Sequence, residues 1–199
     1  MVEKSKIELQ ELRKAMEQEL SSKRYLHTLG VSYTAACLAM AHGADMDSAM
    51  TAGLLHDCAK PLKGEEQIAL CEKNHLEISD VERLNPSALL HAKVGAYLAE
   101  TRYGVTVPDI LNAIRYHTTG RPQMSKLEKI LYIADYIEPG RKHVADLEQI
   151  RQMAYQNLDT TMAKILENTL AYLKTTDGQI DSMTEETYEY YKKGSSLRH

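Results

Sequence analysis

The chain has 199 residues, 43% of them apolar and 26% charged, an ordinary balance for a soluble globule the size of one domain. Its formal net charge of −4 argues against a nucleic-acid partner gripped by bulk positive charge, while leaving room for a local cationic pocket. No apolar run approaches the roughly 18 residues a membrane span needs, and Met1–Ile7 is charged and lacks the apolar stretch of a leader, so the sequence predicts no membrane partner and a cytoplasmic location.

In chain order, apolar residues recur at helical spacing almost throughout, and strand-like alternation is nearly absent. Leu9, Leu12, Met16 and Leu20 mark a first helix. Ser21-Ser22 opens a second, which runs through His27 to about Met40. A third is expected from about Asp47 to Lys60, stopped by Pro61, and a short fourth from Glu65 to Asn74. Asn85-Pro86 reads as a cap and first position of a helix reaching Tyr103-Gly104. Pro108 opens another that ends near His117, with Gly120 beyond it. Ser125 and Glu128 fit a reciprocal cap for a helix through Tyr136, broken by Pro139-Gly140. Leu147, Ile150, Ala154, Leu158, Met162, Ile165 and Thr169 lie on one stripe of a predicted long helix, read as core or subunit contact. Asp177-Gly178 is a turn, Thr184–Lys192 a last short helix, and Gly194–His199 a frayed tail. With no repeat or linker visible, residues 1–199 read as one all-α helical bundle. With no Phe or Trp, its core falls to Leu, Ile, Met, Ala and twelve Tyr, and Cys37, Cys58 and Cys71 read as small buried hydrophobes in a reduced compartment.

Chemistry concentrates at His56-Asp57, which follows the apolar Ala52-Gly53-Leu54-Leu55 and precedes Lys60 by three residues. Burying an imidazole and a carboxylate there is costly unless something pairs them, and a divalent cation satisfies both. His27, His91, His117 and Asp135 each sit in or at the end of an apolar-periodic helix. A lone histidine in such a place is more often a hydrogen-bonded core residue; four of them with two carboxylates make coincidence a weak account. Such an N/O set suits Fe, Mn, Co, Ni or Zn, and softness alone does not choose among them. A partly open set would lower the pKa of a bound water. Lys60, four residues after His56, is expected on the same helix side one turn on, where it would clamp an anion, most simply phosphate. Arg24, one turn before His27, reads equally as a surface charge or a supporting partner. His42, His75, His143 and His199 are assigned no role, and Cys58 is read as packing.

The ordered set His27, His56-Asp57 and Asp135 resembles the HD-domain metal-dependent phosphohydrolase superfamily. Leu54–Lys60, Leu90–Ala96, Ile114–Gly120 and Ala134–Arg141 are similar to the YqeK-type bacterial HD proteins, which are symmetrical diadenosine-tetraphosphate hydrolases. The likeness spans roughly residues 20 to 150, a metal and nucleotide core completed by C-terminal helices over about 146–192. After Arg141 it departs from the pattern, with Lys142-His143-Val144-Ala145-Asp146 in place of an aromatic-Pro-Gly stretch. The resemblance implies an HD-type bundle and iron held by His27, His56, Asp57 and Asp135. It also implies substrate contacts from His27, Asp57, Lys60, His91, His117, Thr118, Asp135 and Arg141. His91 and His117 have the chemistry to bind a second ion bridged by Asp57, or to touch phosphate directly; the sequence leaves both open. The expected reaction is hydrolysis of diadenosine tetraphosphate to two ADP by metal-activated water. Asp57, Lys60, His91 and His117 are its catalytic residues, with Lys60 and Arg141 offsetting phosphate charge and His91 or His117 protonating the leaving phosphate. Rival readings are an HD phosphohydrolase of a mononucleotide, a guanosine alarmone or a deoxynucleoside triphosphate, and a non-catalytic metal- and nucleotide-binding module. No stacking aromatic is assignable. A homodimer is open, because Tyr188, Tyr190 and Tyr191 would cover either the core or a second subunit.

Overall fold

The computed structural model describes residues 8–142, 144–176 and 179–196. The expectations placed on Met1–Ile7, His143, the Asp177-Gly178 turn and residues 197–199 fall outside these. The described residues form eleven α-helices and no strand: α1 Leu9–Glu19, α2 Ser22–His42, α3 Met46–Leu55, α4 Gly64–Lys73, α5 Asp80–Leu84, α6 His91–Thr101, α7 Pro108–Arg115, α8 Lys126–Ile137, α9 Leu147–Ala154, α10 Leu158–Leu173 and α11 Ser182–Ser196. A π-helical turn, Pro86–Leu90, leads into α6. The protein is all-α, as its periodicity predicts.

The central layer is α2, α3, α7 and α8, with α1, α6, α9 and α10 packed around it and α11 laid against α10. Val31, Leu38, Leu54, Leu55, Ile114, Ile130, Leu131 and Ile133 are fully buried at the heart of this core. Burying a side chain of this size stabilises by about 1.5–3 kcal/mol. A satellite core of Ala59, Cys71, Leu90 and Val94 seats the π-turn and α6 on α4. Local chemistry fixes the ends of the site-bearing helices. Ser21 Oγ accepts the Arg24 amide hydrogen at the start of α2, and Gly43 at φ +62° closes it in the left-handed region. Ser125 and Glu128 form the predicted reciprocal cap at the start of α8.

Four elements depart from expectation. The third helix stops at Leu55 rather than Lys60, well ahead of Pro61, whose ring disfavours helical backbone in the residue before it. The chain tightens instead into turns in which the Cys58, Lys60 and Leu62 amides reach the carbonyls three residues back (3.1, 3.0 and 3.1 Å). Lys60 therefore does not stack one turn above His56, and its Nζ donates to the Ser87 carbonyl at 2.9 Å. Asn85 closes α5, a helix started by a Ser79–Glu82 reciprocal cap and absent from the expected elements, and it also stands at the N-cap position of the π-turn with Pro86 first, its side chain making no capping bond. The predicted long helix is two, because the Asn157 side chain accepts the Thr160 amide hydrogen and starts α10 afresh. The last helix is longer than predicted, Ser182–Ser196. Cys37 is exposed rather than buried, whereas Cys58 and Cys71 are buried, and all three are free. Burial pushes the Cys58 thiol up to about 12, consistent with packing rather than reactivity. Of the tyrosines in α11, Tyr191 turns into the core, 3% exposed, where its hydroxyl oxygen accepts the Met124 amide hydrogen.

Candidate metal centre

Six side chains from five parts of the chain meet in one place. α2 presents His27 from its second turn, and His56 and Asp57 come just as α3 ends. The π-turn delivers His91 as the first residue of α6; His117 lies two residues past α7, and Asp135 on the inner face of α8. His56, Asp57, His91 and His117 are buried.

Asp57 is the hinge of the cluster. Its Oδ2 lies 3.4 Å from His56 Nε2 and 3.9 Å from His27 Nε2; its Oδ1 lies 3.4 Å from His91 Nε2 and 3.8 Å from His117 Nε2. Asp135 Oδ1 faces His27 Nε2 at 3.0 Å and His56 Nε2 at 3.9 Å. The Nε2 atoms of His91 and His117 are 3.1 Å apart. Two overlapping sets are close enough to share an ion: His27, His56 and Asp135, and His56, Asp57 and His117.

Hydrogen bonds at the far ring nitrogens orient three of the imidazoles. His56 Nδ1 meets the Gly53 carbonyl and His117 Nδ1 the Ile114 carbonyl, each at 2.7 Å, so both donate there and turn an Nε2 lone pair into the centre. His27 Nδ1 lies 3.0 Å from Glu138 Oε1, a carboxylate–histidine pair with the same effect. The inward Nε2 atoms of His27 and His56 are buried with no hydrogen-bond partner, although carboxylate oxygens stand close by. Lone pairs aimed at carboxylates with nothing between them describe a donor set for a cation, and the residues present fit one.

The electrostatics agree. Burial disfavours charge on Asp57, yet the neighbouring His56 outweighs it and holds the carboxyl well below its ordinary range. Asp135 is lowered in the same way, chiefly through His27. Burial takes the His117 imidazole down to about 4 and, with His117 beside it, His91 well below its ordinary value. The centre thus holds ionised carboxylates beside neutral His91 and His117, the protonation states in which such groups ligate metal, while Asp57 raises His56 against the effect of its burial. Two guanidinium groups take up carboxylate charge: Arg24 Nη1 donates to Asp57 Oδ2 and Arg141 Nη2 to Asp135 Oδ1, each at 2.6 Å. Arg24, ambiguous in the sequence, is therefore a partner of the site.

Beside the centre lies a cleft of about 590 Å³ with His117, Thr118, Asp135 and Arg141 at its inner end and Tyr132, Tyr136 and Tyr172 among its walls. Thr118 and Arg141 thus reach the centre's edge, and Lys60, its Nζ on the Ser87 carbonyl, stays within electrostatic reach of Asp57 and Asp135. Thr169, placed by the helical stripe in the core, also lines the cleft. Sequence reasoning missed two features here. One is Glu138, 4% exposed, whose only signal was its place in Glu138-Pro139-Gly140-Arg141. The other is the tyrosine wall, drawn from α8 and α10, which only the packing of those helices assembles. His42, assigned no role, ties α2 to the Ala154 carbonyl at 2.7 Å.

Comparison with known proteins places these features in context. The family model for the HD domain matches residues 24–140. The chain is 41% identical over 182 residues to "Bis(5'-nucleosyl)-tetraphosphatase, symmetrical" of Bacillus subtilis (strain 168), covering 90% of this chain and 95% of that protein. The protein of the same name from Halalkalibacterium halodurans is 38% identical over 173 residues, covering 87% and 91%. A crystal structure of a "predicted HD superfamily hydrolase involved in NAD metabolism" from Clostridium acetobutylicum superposes with a TM-score of 0.90 at 39% identity, over 94% of this chain and 98% of that one.

Proposed function

The chain belongs to the HD-domain family, and from that premise we propose that it is a metal-dependent hydrolase cutting diadenosine tetraphosphate at its centre into two ADP. The observation that carries this reading is the pair of buried, unpartnered Nε2 atoms of His27 and His56 beside Asp57 and Asp135, next to a tyrosine-walled cleft. His27, His56, Asp57 and Asp135 would hold one divalent cation; iron follows from the family resemblance, since the donor set accepts several metals. When bound, such a cation supplies Lewis acidity toward a phosphoryl oxygen and a lowered pKa for water.

The chain's own groups do the rest. Arg141, on the rim between the centre and the cleft, and Lys60 place positive charge near the non-bridging oxygens, where phosphoryl transfer is largely decided. Tyr132, Tyr136 and Tyr172 offer faces to an adenine, a contact worth about 1–3 kcal/mol per stacked base, and Thr118 a hydroxyl to the phosphate end. His91 and His117 rest neutral, so either takes the proton of the attacking water and returns it to the leaving phosphate. Their alternative role, holding a second cation with Asp57 Oδ1, is separated by elemental analysis of anaerobically purified protein: two metals per chain assign them as ligands, one assigns them to phosphate. No described helix is long and apolar enough to cross a membrane, and we place the reaction in the cytoplasm.

The test is product analysis. Metal-loaded protein given the dinucleotide should release ADP alone, and Asp57→Asn should lose turnover by at least about 100-fold while keeping its helical circular-dichroism signal. AMP plus ATP, or consumption of a mononucleotide with the dinucleotide untouched, would overturn the substrate assignment. An inactive parent whose Asp57→Asn variant unfolds would make the centre structural.

A further inference from the structure

Central cleavage of a symmetrical dinucleotide needs room for two like halves around the scissile bond, and the tyrosine-walled cleft accounts for one. A second groove, of about 960 Å³, adjoins the same centre. It reaches the centre through His27, as the first cleft does through His117 and Asp135, and the two meet at Arg141, which lines both. Its walls are the first turns of α2 and the loop after α8. These bring Lys23, Arg24, Arg141 and Lys142 to one face of a chain whose net charge is −4.

The carboxylate of this groove, Glu138, is committed to His27 and the Gly140 amide, so the local field is cationic. Arg24 and Arg141 are spoken for by Asp57 and Asp135. Lys23 and Lys142 are exposed and make no ion pair with another described residue. Leu26 stands in the same groove 69% exposed, an apolar surface beside these cations. Cations beside an apolar face, ending at the catalytic centre, match a nucleotide with its phosphates pointing inward.

We propose that this groove is the second nucleotide subsite, receiving the ADP half that departs, with Lys23 and Lys142 on its phosphates and Leu26 against its base. The assignment rests on the reading of the protein as a symmetrical dinucleotide hydrolase. It explains why the cut falls at the middle of the substrate: the metal centre sits where the two grooves join.

The experiment compares the parent with the double variant Lys23→Glu/Lys142→Glu, both metal-loaded and matched in circular dichroism. Kinetics are measured with diadenosine tetraphosphate, and binding of ADP, a single half, by calorimetry. The proposal expects KM for the dinucleotide to rise at least about tenfold, equivalent to about 1.4 kcal/mol, while ADP affinity in the tyrosine cleft changes less than about twofold. The parent should also lose kcat/KM more steeply with added salt than the variant, since screening acts on the charges the variant lacks. An unchanged KM, or a weakening of ADP at the tyrosine cleft as large as the loss for the dinucleotide, would overturn the subsite. A parent that makes no ADP from the dinucleotide would instead overturn the function, a result visible before the variants are compared.

Discussion

Glu138 carries much of the local order of the centre. Its Oε1 meets His27 Nδ1 at 3.0 Å and its Oε2 accepts the Gly140 amide hydrogen at 2.5 Å. The space it fills exists because residues 30 and 140 have no Cβ: one built there would stand 2.6 and 2.9 Å from Oε2. A carboxylate on the outer nitrogen of a metal-facing histidine fixes its tautomer and strengthens its lone pair. Replacing Glu138 with Gln keeps the volume and removes the charge, so metal affinity should fall about 10- to 100-fold. Chelator competition reads this without reference to activity, and the melting temperature of the metal-free protein should hardly move. Unchanged metal retention in Glu138→Gln would show that the pair does not tune His27. Glu138 illustrates what single residues conceal: a Glu before Pro-Gly reads as a loop charge until folding lays it across α2.

At the level of elements, the centre depends on how closely α2 and α3 approach. A Cβ at Gly53 would lie 2.5 Å from the Cα of Ser32, so the two helices touch backbone to backbone at this point. One turn beyond the contact lies His56, and α2 carries His27. In Gly53→Ala two effects compete: better helix propensity favours the variant by up to about 1 kcal/mol, while overpacking costs about 1–3 kcal/mol. The contact is to backbone, which cannot rotate away, so the cost should win. The melting temperature should drop by several degrees at about 2–4 °C per kcal/mol for a chain of this size, and metal retention should weaken as His27 and His56 part. A melting temperature equal to or above the parent's would show that the helices can separate freely. Elements were legible where a cap or breaker stood in the sequence, as at Ser125–Glu128 and Pro139. The break at Asn157 was hidden because the apolar stripe continues across it: Ala154, Leu158 and Met162 all stay buried on both sides.

For the whole molecule, the centre links stability to pH. An imidazole in the unfolded chain titrates near about 6.5, whereas burial holds His117 at about 4 and His91 well below its ordinary value. Between those limits the unfolded state binds more protons than the native one, so stability falls as pH falls, by at most about 1.4 kcal/mol per pH unit for each group. His56 works oppositely: burial disfavours its charge, but Asp57 raises its pKa, so its contribution is complete below about 6.5 and is lost as pH rises above that. The depressed carboxyls of Asp57 and Asp135 add their loss only below their ordinary range near 3.8. Metal-free protein should therefore melt at progressively lower temperature from about pH 6.5 down to about pH 4, and His117→Gln should flatten that slope. Identical slopes in the two proteins would contradict the assignment of His117 as a buried neutral ring.

The amino-acid order alone determined the all-α architecture and the identity of the metal-capable residues. Helical periodicity is a local property, and a His-Asp pair closing an apolar run is improbable without a partner. Only the tertiary structure decided which groups face one another. It set the 3.0 Å between His27 and Asp135, residues more than a hundred positions apart, the turn that sends Lys60 to Ser87, the Glu138 carboxylate behind His27, and the two grooves meeting at Arg141. Those relations depend on how closely packed helices cross and on where the chain leaves them, quantities fixed by contacts between distant side chains and carried by no single stretch of sequence.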